Sequence, residues 1–324
     1  MSTPLAELHM HIEGSLEPEL IFALAERNKV ELPYRDLDDL RGRYEFSDLQ
    51  SFLDLYFANM AVLRTEQDFA DLARAYFARA AAGGVGHAEI FFNPQAHTAR
   101  GVPLRAVLDG LGDAVRASAA EFGLTSDLIV AVLRDRPAEE GMAMLDELLG
   151  LDVPVLGIGL DSAEVGNPPS LFEDVFARAR ANGLRAVAHA GEEGPPEYIR
   201  QALDVLKVER VDHGVRCLED AELVARLVEE QIPLTVCPLS NVRLRVVDTL
   251  ADHPLRTMLD AGLLVTVNSD DPAYFGGYVD DNFARLQAEL GLTAEERETL
   301  ARNSIRASFA SQERKAALLG GAGR

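Results

Sequence analysis

A chain of 324 residues that is 48% hydrophobic can bury one large core, and α/β barrels still fold as a single domain at this length. Its 31 basic and 53 acidic residues give a formal net charge of −22, which repels phosphate backbones and anionic lipid and so argues against nucleic-acid or membrane partners. No apolar run reaches the roughly 18 residues of a membrane span, and the N-terminus lacks a signal-peptide pattern, so a cytoplasmic protein is expected.

In chain order, eight short apolar runs, many of them β-branched, each precede turn residues. They are Leu5–Ile12, Gly86–Phe92, Leu128–Leu133, Val155–Leu160, Ala186–Ala190, Val208–Val215, Pro233–Pro238 and Leu263–Asn268. Amphipathic stretches such as 171–181, 220–231 and 254–261 lie between them. Near-continuous apolar strands alternating with helices predict a parallel sheet covered on both faces, and eight such units predict a closed (β/α)8 barrel of the TIM type. Residues 13–84 are far longer than one crossover needs and are expected to form a helical cap over the barrel mouth. Residues 272–324 are expected to add helices on the flank. The two cysteines, Cys217 and Cys237, lack the spacing of a thiolate metal site and are expected to be buried packing residues.

The placement of polar residues points to chemistry. His9 and His11 lie in the first run, His189 in the fifth and His213 in the sixth, while Asp270 and Asp271 directly follow the eighth. In a barrel these strand ends gather on the face where catalysis occurs. Residues i and i+2 of a strand share a side, so His9 and His11 point together, and two buried imidazoles side by side are costly unless they bind something. A third His and an Asp converging from other strand ends suit a catalytic metal with one open position. Glu192, three residues past His189, is placed to transfer protons beside such a metal, although a loop or helix-start Glu is the plain alternative. Asp270 and Asp271, before a proline, could equally form a turn.

Taken together, Leu8-His9-Met10-His11-Ile12-Glu13-Gly14, His189-Ala190-Gly191-Glu192, Asp212-His213-Gly214, Cys237-Pro238-Leu239-Ser240-Asn241 and Asn268-Ser269-Asp270-Asp271-Pro272 closely resemble the adenosine/adenine deaminase branch of the amidohydrolase superfamily, in the same order and along nearly the whole chain. The resemblance implies hydrolytic removal of a purine 6-amino group, with one zinc ion per subunit held by His9, His11, His189 and Asp270. It implies that Glu192 protonates purine N1, that His213 orients the attacking water, and that Asp271 bonds N7. The only lysines are Lys29, Lys207 and Lys315; none is near Leu160 at the end of the fourth run, where two-metal relatives carry a bridging carboxylated lysine, so a single metal is expected.

Within that branch, adenosine deaminases typically have an Asp-Leu-Ala-Gly turn after strand 4, and this chain reads Asp161-Ser162-Ala163-Glu164. It also has Glu13 where they usually carry Asp. These departures look like the adenine deaminase subgroup. Glu164, beside Ser162, is expected near N3/N9, where it could accept the N–H that only a free base possesses; a turn-capping Glu164 is the plain reading. Adenine is therefore the expected substrate, with adenosine, an N6-substituted adenine or an aminodeoxyfutalosine-like nucleoside as alternatives. The expected partner is a small-molecule purine, and homo-oligomerisation is left open.

Overall fold

Eight parallel strands pair in sequence order: β1 (Leu5–His11), β2 (Val85–Phe92), β3 (Thr125–Leu133), β4 (Gly157–Asp161), β5 (Arg185–Ala190), β6 (Arg210–His213), β7 (Leu234–Val236) and β8 (Val265–Val267). The computed structural model describes residues 3–151 and 153–320. Beyond β8 the chain meets β1 again: His11 N–H donates to Asp270 O and Asp270 N–H to His9 O, each at 3.0 Å. That seam closes the (β/α)8 barrel predicted from the eight apolar runs.

Alternation along the strands sorts the core into two compartments. On β3, Val130 and Val132 join the large core between sheet and helices, whereas Ile129 and Ala131 pack with Phe91 and Val187 inside the barrel. The helices show the matching one-face pattern. Leu104–Phe122 buries Leu104, Val107, Leu108, Leu111 and Ala114 at helical spacing and stops at Gly123, whose φ of 77° suits a residue without Cβ.

The long first connection divides its labour. It contains α1 (Pro18–Asn28), α2 (Leu37–Arg41), α3 (Leu49–Asn59) and α4 (Glu66–Ala82). The last of these, α4, packs against the helix Leu104–Phe122 as an ordinary crossover helix. Its first turn is pinned by buried Asp68, which accepts Thr65 N–H and Asn28 Nδ2 at 2.8 Å each and pairs with Arg27 on α1. By contrast, α3 turns Phe52, Leu53 and Tyr56 toward the barrel mouth. At the other end of the chain, Ala294–Ala307 and Gln312–Gly320 cover β1 through Ile305, Ala307 and Leu318 against Ala6 and Leu8; residues 321–324 lie outside the described residues.

Strand β1 is irregular, with register shifts between Glu7 and Met10. There Glu7, buried, accepts the amide and hydroxyl of Ser269, each at 3.0 Å. Burial pushes its carboxyl up to about 8. Because the folded-state value lies above the ordinary Glu value of roughly 4.3, the folded chain holds a proton that the unfolded chain has released between those two pH values. This contribution to stability is complete at acid pH and is lost as pH rises toward 8. Glu7→Gln is therefore expected to flatten the fall in melting temperature between pH 5 and 8; a slope identical to that of the native protein would refute the assignment.

Candidate metal centre and active site

Four side chains from three parts of the barrel meet at its mouth. The Nε2 atoms of His9 and His11 lie 3.0 and 3.1 Å from His189 Nε2, and Asp270 Oδ1 lies 3.4 Å from His9 Nε2 and 3.5 Å from His11 Nε2. All four residues are buried. Three ring nitrogens pointing at one another cannot each satisfy the next by hydrogen bonding, because a neutral imidazole offers only one N–H. A metal ion resolves the conflict. Two donor atoms each about 2.0–2.1 Å from one zinc ion can lie at most about 4.2 Å apart, and the separations here, 3.0–3.5 Å, meet that limit. The donor set, three imidazoles and one carboxylate with room for one more ligand, fits a catalytic divalent metal.

The electrostatics agree. Burial, reinforced by His189, lowers His11 to about 3, and burial with His9 nearby lowers His189, so both rings are neutral as ligands must be. For His9 burial opposes charge, yet the Asp270 carboxylate outweighs it and raises this ring, while His9 in turn holds Asp270 well below the usual range despite its burial. A cation at the common point would replace that proton.

Each ligand imidazole has an outer partner, as metal-bound histidines generally do. His9 Nδ1 lies 2.9 Å from Thr235 Oγ1, whose hydroxyl donates to Asp212 at 2.9 Å; His9 is therefore the Nδ1–H tautomer, with Nε2 free to ligate. His189 Nδ1 faces Asp212 Oδ2 at 3.6 Å, and His11 Nδ1 faces Asp161 Oδ2 at 3.5 Å. The Asp161 carboxyl also accepts Asn93 Nδ2 at 2.7 Å, and burial pushes it up to about 8. Thr235 and Asn93 carried no signal in the sequence. Asp212 and Asp161 stood in the sequence only as members of the Asp212-His213-Gly214 and Asp161-Ser162-Ala163-Glu164 segments, and their roles become visible only in the fold.

Above the ligands is a cavity lined by His11, Asp161, Ser162, His189, Glu192, His213, Asp270 and Asp271 and flanked by Phe52, Leu53, Tyr56 and Phe57 of α3. Ser162, His213 and Asp270 bend into it with φ of 74°, 61° and 63°, left-handed values that cost a non-glycine residue energy and concentrate at functional sites. Gly14 is required beside it, because a Cβ there would collide with the Asp271 backbone and carboxylate.

Glu192 reaches the cavity with Oε2 3.4 Å from His213 Nε2. Burial, then the nearby Asp270 charge, holds its carboxyl well above the usual range, and the same two causes raise Asp271. Both shifts favour the protonated carboxyl over the carboxylate. His213 is neutral, driven well down by burial and by His9.

Of the residues singled out in sequence, Glu164 is the one the fold employs differently. Rather than facing the cavity, its carboxylate sits under the loop after β5 and accepts four backbone amides: Gly191 at 2.7 Å, Glu192 at 3.1 Å, Glu193 at 2.9 Å and Gly194 at 2.7 Å. Successive amides turned to one side make an anion cradle, and here the cradle fixes the loop that carries Glu192. Glu13 likewise holds structure, accepting Asn93 N–H at 3.1 Å and His97 Nε2 at 2.7 Å. The two cysteines are free and buried, with Cys217 pushed up to about 12 by burial, as packing residues would be.

Fold and site together define a metal-dependent hydrolase barrel. The profile of the adenosine deaminase family matches residues 4–322, and the chain belongs to that family. It is 63% identical to the adenine deaminase of Streptomyces coelicolor over 95% of this chain and 91% of that one, and 58% identical to the adenine deaminase of Rhodospirillum rubrum over 97% and 94%. The crystal structure of an adenine deaminase from Arthrobacter aurescens superposes with a TM-score of 0.98 at 64% identity, covering 98% of each chain. An amidohydrolase from B. ambifaria, solved with bound zinc, superposes with a TM-score of 0.89 at 30% identity, covering 98% of this chain and 88% of that one.

If His9, His11, His189 and Asp270 share one ion, dialysed protein retains about one equivalent of divalent metal, and His189→Ala loses most of it while Glu192→Gln keeps it. Elemental analysis of the three proteins decides; equal metal content in His189→Ala would exclude the site.

Proposed function

We propose that the protein hydrolyses adenine to hypoxanthine and ammonia, using one zinc ion per subunit held by His9, His11, His189 and Asp270. The carrying observation is that Glu192 Oε1, Asp271 Oδ1 and Ser162 Oγ, on residues that line the cavity, are buried without a hydrogen-bond partner among the described residues. Buried polar atoms are almost always paired, so these three are the groups a flat heterocycle with ring nitrogens would satisfy. The zinc-bound amidohydrolase and the adenine deaminases described above support the choice of metal and substrate.

When bound, zinc supplies a water molecule acidified enough to act as nucleophile at neutral pH. The residues do the rest. The Glu192 carboxyl, neutral because it is buried, donates its proton to N1 and so prevents negative charge from accumulating on the ring as C6 becomes tetrahedral. Asp271, also protonated, donates to N7, which has only a lone pair to offer. His213, 3.4 Å from Glu192 and 3.9 Å from Asp270 Oδ2, accepts from the attacking water and orients it toward C6. The C6–O bond forms as His213 takes a proton from the water; that proton passes to the amino group, the C6–N bond breaks and ammonia leaves, and the remaining C6 hydroxyl proton returns to Glu192 as the 6-oxo group forms. Ser162, at the strained turn after β4, lines the side of the cavity where the five-membered ring would lie. Glu164 contributes by fixing the 191–194 loop. The aromatic and aliphatic side chains of α3 exclude water and leave little room for a ribose. The activity would return purine rings to salvage in the cytosol.

Loss of ultraviolet absorbance tests the substrate: adenine is expected to exceed adenosine in kcat/KM by at least about 100-fold, since a ribose must displace buried groups. Comparable values would sink the free-base reading. Glu192→Gln is expected to lower kcat by about 10²–10⁴ with little change in KM. Because Glu192 must hold its proton, kcat/KM of the native enzyme should fall as pH rises through its elevated pKa.

A further inference from the structure

Below the metal ligands, the barrel interior carries charge that the proposed reaction does not use. Asp212, which faces His189 and reaches His9 through Thr235, lies next to Arg210, with Arg210 Nε 3.8 Å from Asp212 Oδ1. Arg210 and Asp212 are adjacent inward positions of β6, so the guanidinium sits one layer deeper. It pairs with Glu89 of β2 and donates to Leu8 O at 3.0 Å, in the irregular stretch of β1 just before His9. Glu89 also takes the Phe309 amide and lies 3.3 Å from His87 Nε2. The Phe309 ring closes the layer from beneath, 4.8 Å from the Arg210 guanidinium carbon. Arg210, Glu89, Asp212 and Thr235 are all fully buried.

A fully buried arginine and two buried carboxylates are a poor way to stabilise a barrel floor, because apolar residues of similar volume usually serve as well or better. The arrangement is better explained by what it touches. Arg210 meets the surroundings of the metal site at two points: the Asp212 carboxylate, the outer partner of His189, and the β1 backbone that carries His9. Glu89 fixes the guanidinium in place.

We propose that Arg210 and Glu89 are positioning residues for the metal centre: through Asp212 and the Leu8 carbonyl they fix how the His9 and His189 rings face the ion. The inference rests on the metal-site reading above and extends it one layer into the barrel. Loss of Arg210 frees Asp212 to rotate. Loss of the Glu89 charge lets Arg210 draw Asp212 away from His189 and Thr235. Either change loosens two of the four ligands without touching any of them.

The test uses Arg210→Met, Arg210→Lys and Glu89→Gln beside the unmodified protein. Zinc affinity is measured by competition with a chromophoric chelator, the visible spectrum is recorded after cobalt(II) loading, and melting is followed in the metal-free form. Arg210→Met and Glu89→Gln are expected to bind zinc about ten-fold or more weakly, in the range set by other outer-shell replacements. Their cobalt bands should shift, kcat should fall more than KM rises, and Arg210→Lys should recover part of the affinity. If Arg210→Met does not fold, the near-isosteric Glu89→Gln carries the test with Arg210→Lys. Zinc affinity within two-fold of the unmodified protein and an unshifted cobalt spectrum, with only the metal-free melting temperature lowered, would reduce the pair to floor packing and overturn the proposal. Failure of the unmodified protein itself to bind a divalent ion would instead overturn the metal-site reading.

Discussion

Everything in this structure depends on four ligating atoms brought within 4.8 Å of one another in a space sealed from bulk water. Without a cation that arrangement is unfavourable: imidazoles face one another, and Asp270 is buried beside them. With one it becomes a strong site. The barrel makes the arrangement possible because strand ends distant in sequence finish on one face. Its rigidity also lets His213, Asp270 and Ser162 keep backbone angles that a flexible loop would relax.

From that point outward, charge is sorted by depth. Nearest the ion, burial keeps His11 and His189 neutral. On the cavity walls the same burial, with the Asp270 charge beside it, shifts Glu192 and Asp271 toward their protonated forms. Deeper still, Asp212 and Glu89 share the one guanidinium of Arg210 with no access to solvent. One physical term, the cost of removing charge from water, thus yields ligands, acids and anchors according to which neighbours share it.

The fold was legible because a parallel barrel writes itself as eight apolar runs, and the ligands because His-x-His and terminal acids are conspicuous at strand ends. What stayed hidden depends on contacts between distant strands. Glu164 is the instructive case. Its identity separated this chain from nucleoside deaminases, and a role at the purine followed naturally; no local pattern reveals that four amides of the 191–194 loop turn toward it. Thr235 gave no signal because a threonine in a β-strand is unremarkable until its hydroxyl is seen bridging His9 and Asp212. The long first connection read as a single cap, yet α4 is a plain crossover helix and α3 alone supplies cavity-lining side chains.

The seam between β1 and the end of β8 has a consequence for the protein's birth. His9 and His11 emerge from the ribosome some 260 residues before Asp270, whose backbone joins theirs. Those ends can meet only after the intervening chain exists, and contacts of such wide sequence separation form late. A site that needs all four side chains is therefore complete only once the barrel has closed.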